Sequence, residues 1–195
     1  MVTSAAPGEG KSFVSANLAI SIAKTVDKYA LLVDSDLRSP SIHTVFGFQD
    51  GALPGLADYL GKDFPLSNVL AKTEIPKLTI LPGGEPPENP AELISSEKMI
   101  GLLSELKKKY SDRYIIIDSP PPLLIAEARV IARHVDQIIL VVKEGKTSKQ
   151  LIDDLIDVIG KDKIIGAVMN HSEMRSTVYR HMKNYGKYYK YMKYK

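Results

Sequence analysis

Cysteine is absent from the 195 residues. That excludes disulfides and thiolate metal sites, and it agrees with a reducing cytoplasm. No apolar run is long enough to span a bilayer and no signal peptide is evident, so nothing here is expected to insert into a membrane on its own. Acidic residues are missing from one stretch in particular. Tyr179 to Lys195 holds Arg180, Lys183, Lys187, Lys190, Lys193 and Lys195 with no Asp or Glu. The chain's net charge is +3, so removing these six charges leaves the remainder at net −3. The basic character therefore belongs to the tail. The 44% hydrophobic and 25% charged fractions are those of an ordinary globular protein, and the length suits one domain with a real core.

The stretch around which the chain is organised is Ala5-Ala6-Pro7-Gly8-Glu9-Gly10-Lys11-Ser12, followed by a helical pattern from Phe13 to Val26. It reads as a phosphate-binding loop. Small residues let consecutive backbone N–H groups ring a phosphate, and the following helix adds its positive N-terminus. Lys11 supplies a point charge for the outer phosphates, and the Ser12 hydroxyl is a ligand for Mg²⁺. Only Val2, Thr3 and Ser4 precede the loop, where a buried strand is the usual neighbour, so the beginning reads as cut.

Ala30-Leu31-Leu32-Val33 has the continuous apolar character of a strand buried on both faces and ends in Asp34-Ser35-Asp36-Leu37-Arg38. Two acids at the C-terminal end of a parallel strand can approach Mg²⁺ or a nucleophile's proton, and Asp-Ser-Asp is also good turn chemistry. His43 has no metal-ligand neighbour at suitable spacing and reads as a packed or surface histidine. Short helices are predicted over 55–60 and 66–70, a strand over 78–81, a loop over 82–90 and one helix over 91–110. Tyr114-Ile115-Ile116-Ile117 is expected to be a buried strand that delivers Asp118 at the sheet edge, suited to holding a Mg²⁺-bound water. Helices over 124–133 and 149–159 and strands over 137–142 and 164–169 complete the alternation. Asn170 follows the last strand, either pairing with the edge of adenine or serving as a turn residue. The pattern predicts an α/β fold of three layers, a doubly wound, mostly parallel sheet of the P-loop NTPase type. Residues 1–172 form the domain and 173–195 the tail.

Six of the ten tyrosines fall within the last 17 residues: Tyr179, Tyr185, Tyr188, Tyr189, Tyr191 and Tyr194. Such phenols cannot all be buried without hydroxyl partners. A phosphorylation cluster, a nucleic-acid contact and an anionic membrane contact all suit lysines interleaved with aromatics.

Taken together, the residues 5–12 loop, the Leu31–Arg38 run, Ile115–Pro121, the Gly55–Leu60 and Pro86–Leu93 segments and the tyrosine tail resemble a bacterial tyrosine kinase domain (BY-kinase) of the polysaccharide co-polymerase, or capsular exopolysaccharide, family. These kinases use P-loop ATPase machinery, and no His-Arg-Asp or Asp-Phe-Gly motif of the other kinase fold is present. The related division-site and partition ATPases, of the MinD/ParA-like class, carry an extra lysine five positions before the main one, where this chain has Ala6.

The resemblance implies ATP and Mg²⁺ as cofactors, with ATP held by Pro7, Gly8, Glu9, Gly10, Lys11, Ser12, Phe13 and Asn170. It implies Ser12, Asp36 and Asp118 at the metal, and Lys11, Asp34, Asp36 and Asp118 as catalytic residues. Asp34 is the choice for the proton of the incoming phenol, with the Asp34 and Asp36 roles interchangeable. Tyr185, Tyr188, Tyr189, Tyr191 and Tyr194 become phosphoacceptors. It further implies a homo-oligomeric ring, protein tyrosine substrates, and the cytoplasmic segment of a membrane co-polymerase as activator. The location implied is cytoplasmic, peripheral at the inner face of the membrane, with nucleic acid not expected as a partner. The implied role is control of capsular or exopolysaccharide production. An ATPase acting as a nucleotide-dependent assembly switch is the alternative.

Overall fold

The structure, a computed structural model, describes residues 1–110 and 112–172. Its seven strands are β1 (Val2–Ser4), β2 (Tyr29–Asp34), β3 (Ala71–Lys72), β4 (Leu78–Leu81), β5 (Arg113–Asp118), β6 (Ile138–Lys143) and β7 (Ile164–Asn170). They form one sheet in the order β3-β4-β2-β5-β1-β6-β7. All neighbours are parallel except the short β3, which runs antiparallel to β4 at one edge. The sequence signalled no strand at 71–72, because two residues carry no periodicity to read.

Successive side chains of a strand point to opposite faces, so each inner strand supplies two cores. Val2, Ala30, Leu32, Ile80, Ile116 and Val141 meet α1 (Lys11–Ala23) and α2 (Ile42–Val45) on one face. Ala16, Ala19 and Ala23 are the contact stripe of α1, and their small size seats the helix close to the sheet. Leu31, Val33, Leu81, Ile117 and Leu140 meet the other helices: α3 (Leu56–Lys62), α4 (Leu66–Val69), α5 (Pro90–Ser95), α6 (Glu97–Lys109), α7 (Glu127–His134) and α8 (Lys149–Ile159). The predicted three-layer, doubly wound arrangement is what forms.

Two expectations need correction. The single helix expected over 91–110 is broken at Ser96, whose backbone is extended (φ −71°, ψ 153°). Its Oγ accepts the Met99 N–H at 3.2 Å and donates to Leu93 O at 2.7 Å, so the side chain ends α5 and caps α6. The strand before Asp118 is buried only over its last residues. Tyr114 is 53% exposed, and Ile115 is half-buried. Among the described residues β1 pairs with β5 only at Val2 and Asp118, and the earlier part of β5 pairs with β2.

The start of α3 is locked onto the loop that follows β4. Leu56 N–H donates to Pro82 O at 2.8 Å and Ala57 N–H to Gly83 O at 3.0 Å. A Cβ on Gly55 would fall 2.2 Å from Gly84 N and 2.3 Å from Pro82 O. Since those are backbone atoms, Gly55→Ala is expected to destabilise the fold by about 3 kcal/mol and to lower Tm by roughly 6–12 °C in thermal unfolding.

Candidate active site

Parallel pairing brings the distant motifs to one edge. Asp34 and Asp118 are cross-strand partners on β2 and β5, and Val2 of β1 pairs with Asp118 on its other side. The residues 5–12 loop therefore leaves the sheet next to both carboxylates, at the C-terminal ends of the strands where open α/β sheets bind ligands. Gly8 (φ 70°) and Gly10 (φ 91°) adopt left-handed backbone. Gly10 precedes α1 without a side-chain cap, and the first turn of that helix contains no acid. The N–H groups of that turn are thus available to an anion. Pro7 and Gly8 are exposed at the rim, and Phe13 is 63% exposed on the outer side of α1.

Lys11 is only 9% exposed and lies among carboxylates rather than in solvent. Its charge acts on Asp36 and Asp118, drawing both carboxyls back toward ionisation. Burial dominates nonetheless, and both acids titrate above the ordinary carboxylate range. Ser12 Oγ accepts the Ser41 hydroxyl at 3.1 Å and, together with Ser15, offsets part of the upward shift of the Asp118 carboxyl. Ser15, which belongs to none of the sequence motifs, places Oγ 2.9 Å from Asp118 Oδ1. Its signal was helical spacing: four residues after Lys11, it falls on the face of α1 that looks back at the sheet.

The paired acids divide by environment. Asp34 is 0% exposed. Its Oδ1 accepts the Asp36 N–H at 3.1 Å, and its Oδ2 accepts those of Ser41 at 2.8 Å and Ile42 at 3.0 Å. Burial and the neighbouring Asp118 carboxylate push its pKa up to about 7 despite those three donors. Asp36 is half-buried and accepts the Ser39 N–H at 3.2 Å. Arg38 reaches across to Glu127 of α7 at 2.7 Å, a pair invisible in sequence because 89 residues separate its members. His43 is buried with Nε2 2.7 Å from Asp50 Oδ1, so of the packed and surface alternatives it takes the packed one.

Glu9 and Asn170 hold the loop itself. Glu9 is buried, accepts the Ala6 N–H at 3.2 Å and takes the Thr147 hydroxyl. Asn170 Nδ2 donates to Glu9 O at 2.8 Å. A Cβ on Gly10 would lie 2.0 Å from that same nitrogen, so only glycine permits the contact. One of the two Asn170 amide N–H donors is therefore committed to the loop backbone. Asn170→Ala is expected to weaken ATP and GTP binding alike, by about tenfold, through loss of one hydrogen bond. Titration of both nucleotides checks this, since selective loss of ATP would instead mean that the side chain reads adenine.

Among the described residues no group of three or more His, Cys, Asp or Glu side chains is placed to hold a metal alone. Mg²⁺ does not require one. It binds through one or two carboxylates, retained waters and substrate phosphates. Ser12, Asp36 and Asp118 supply an oxygen-only donor set, and burial raises the pKa of both carboxyls, a cost of ionisation that a bound cation would offset. The residues fit the ion. The tyrosines expected as phosphoacceptors lie outside the described residues.

An AAA-domain family profile matches residues 2–171. Tyrosine-protein kinase YwqD of Bacillus subtilis is 37% identical over 176 residues, covering 89% of this chain and 72% of the relative. Tyrosine-protein kinase CpsD of Streptococcus agalactiae is 31% identical over 188 residues, covering 95% and 80%. The VpsO kinase domain superposes with a TM-score of 0.80 at 36% identity, covering 89% of this chain and 84% of that one. A phosphate loop beside paired strand-end carboxylates, on this sheet and at these identities, makes the chain a protein tyrosine kinase that belongs to the bacterial tyrosine-kinase family of P-loop ATPases.

Proposed function

We propose that the chain transfers the γ-phosphoryl of Mg-ATP to tyrosines of its own C-terminal cluster, Tyr185, Tyr188, Tyr189, Tyr191 and Tyr194, and thereby regulates capsular or exopolysaccharide production. The observation that carries this reading is the register that sets Asp34 and Asp118 side by side next to the Lys11 loop. The loop N–H groups, Lys11 and the start of α1 bind and orient the phosphates. Ser12, Asp36 and Asp118 would hold Mg²⁺, which when bound would neutralise charge on the transferring phosphoryl group. The phenol oxygen attacks the γ-phosphorus while the bond to the β-phosphate oxygen breaks, and ADP departs. Asp34 takes the phenol proton. A carboxyl with a pKa of about 7 is matched to that task near neutral pH. Catalysis is otherwise positioning and charge neutralisation.

The acceptors are reached within a homo-oligomeric ring, each tail entering a neighbouring subunit's site. The cytoplasmic segment of a membrane co-polymerase activates the ring and holds it at the inner face of the membrane. Each phosphate adds roughly −1.5 to −2 charge, so a few invert the basic tail and oppose ring assembly by repulsion. Mass spectrometry after incubation with Mg-ATP, with and without an activator segment, tests the reading. Phosphate is expected on Tyr185 to Tyr194. Hydrolysis of ATP with no tyrosine modified in either sample would leave an assembly switch instead.

A further inference from the structure

The phosphate loop carries an acid of its own. Glu9 is 3% exposed and takes part in no ion pair among the described residues. Backbone N–H groups at a helix start bind a carboxylate by the same chemistry as a phosphate. A carboxylate within this loop is therefore a rival for the anion's place, and where it is held decides whether that place is open.

Two hydrogen bonds hold it. Oε2 accepts the Ala6 N–H at 3.2 Å, a contact inside the loop that ties the side chain to nothing beyond it. Oε1 takes the hydroxyl of Thr147, which comes from the turn between β6 and α8. That turn is braced at its base. Lys143 N–H donates to Thr147 Oγ1 at 3.0 Å, Thr147 N–H to Lys143 O at 3.1 Å, and Glu144 N–H to Asn170 O at 3.0 Å. The Thr147 oxygen thus accepts from its own turn, and its single hydrogen goes to Glu9. An ionised acceptor makes this the stronger of the two restraints.

We propose that Thr147 is a positioning residue that holds the Glu9 carboxylate against the β6–α8 turn and out of the seat a nucleotide phosphate takes, a role that rests on residues 5–12 being that seat. Thr147 acts through Glu9 and need touch neither phosphate nor metal. Without its hydroxyl the carboxylate is tied to Ala6 alone and swings onto the loop N–H groups. A fraction of the loops is then closed on itself, and apparent nucleotide affinity falls by that fraction.

The test is calorimetric titration of the full chain with Mg-ATP in a cycle of wild type, Thr147→Val, Glu9→Gln and the double variant, with circular dichroism as the folding control. Thr147→Val is expected to weaken binding about tenfold, and Thr147→Ser, which keeps the hydroxyl, to bind like wild type. Glutamine brings no carboxylate to compete, so in the Glu9→Gln background the same valine substitution is expected to cost less than about twofold. Valine also leaves the Lys143 N–H without its acceptor, but damage of that kind costs the same in both backgrounds. Thr147→Ala replaces valine if valine disturbs the turn. Equal losses in the two backgrounds, or no loss in either, would overturn the proposal. Wild type that binds no Mg-ATP would overturn the nucleotide seat and this role together, whereas wild type that binds with Thr147→Val unchanged removes the role of Thr147 alone.

Discussion

Lys11→Met is expected to lower tyrosine phosphorylation by about 10³-fold while leaving the fold intact. The lysine is buried beside Asp36 and Asp118, so its ammonium is placed to meet charge on the phosphates. A charge donor in a water-poor site contributes about 10²–10³ in rate, and catalysis by phosphoryl-transfer enzymes is mainly electrostatic. Methionine keeps much of the side chain's length and removes only the charge. The same substitution also releases both neighbouring carboxyls from an attractive partner, raising their pKa values further. Phosphotyrosine mass spectrometry, with circular dichroism as the folding control, measures the effect. Activity within tenfold of wild type would remove Lys11 from the mechanism.

Asp34→Asn is expected to act in opposite directions on activity and stability. Phosphoryl transfer falls by about 10²–10⁴-fold for loss of a general base, with nucleotide affinity little changed. Asp36→Asn should do the reverse, weakening Mg-ATP first. If instead Asp34→Asn turns over normally and Asp36→Asn loses turnover with its metal affinity intact, the two roles are exchanged.

The stability effect follows from linkage. The Asp34 pKa is raised from 3.8 unfolded to about 7 folded, so between those values the folded state binds the proton and the unfolded state does not. Stability therefore declines as pH rises from about 4 to about 7, by a few kcal/mol in total, and does not recover above it. Asparagine cannot ionise, although its amide nitrogen must face one of the three N–H donors. The Tm of Asp34→Asn minus that of wild type should thus become more positive from pH 5 to pH 8. Over the same interval the wild-type transfer rate should rise, because the base must be ionised to accept a proton. A Tm difference that stays flat with pH would refute the assigned acidity.

The residues proposed to bind phosphate and metal were legible because their chemistry is local. Gly8-Glu9-Gly10-Lys11-Ser12 encodes its own backbone turn and helix start, and the apolar runs before Asp34 and Asp118 announce strands that end in acids. Helix ends were less legible. The break at Ser96 depends on one side chain competing for a neighbouring N–H, and the apolar periodicity of 91–110 runs straight through it.

What the sequence determined by itself was the fold class, the phosphate loop and the set of acids available to it, since backbone preference and hydrophobic period act over a few residues. What only the tertiary structure decided was which groups meet. The sheet order set Asp34 against Asp118 and made one acid raise the other's pKa. Folding also joined Glu9 to Thr147, Asn170 to the loop and Arg38 to Glu127. These contacts span between 89 and 161 residues of chain. Desolvation and Coulomb interaction depend on distance in space, and spacing in sequence carries that distance only within a turn or two of helix.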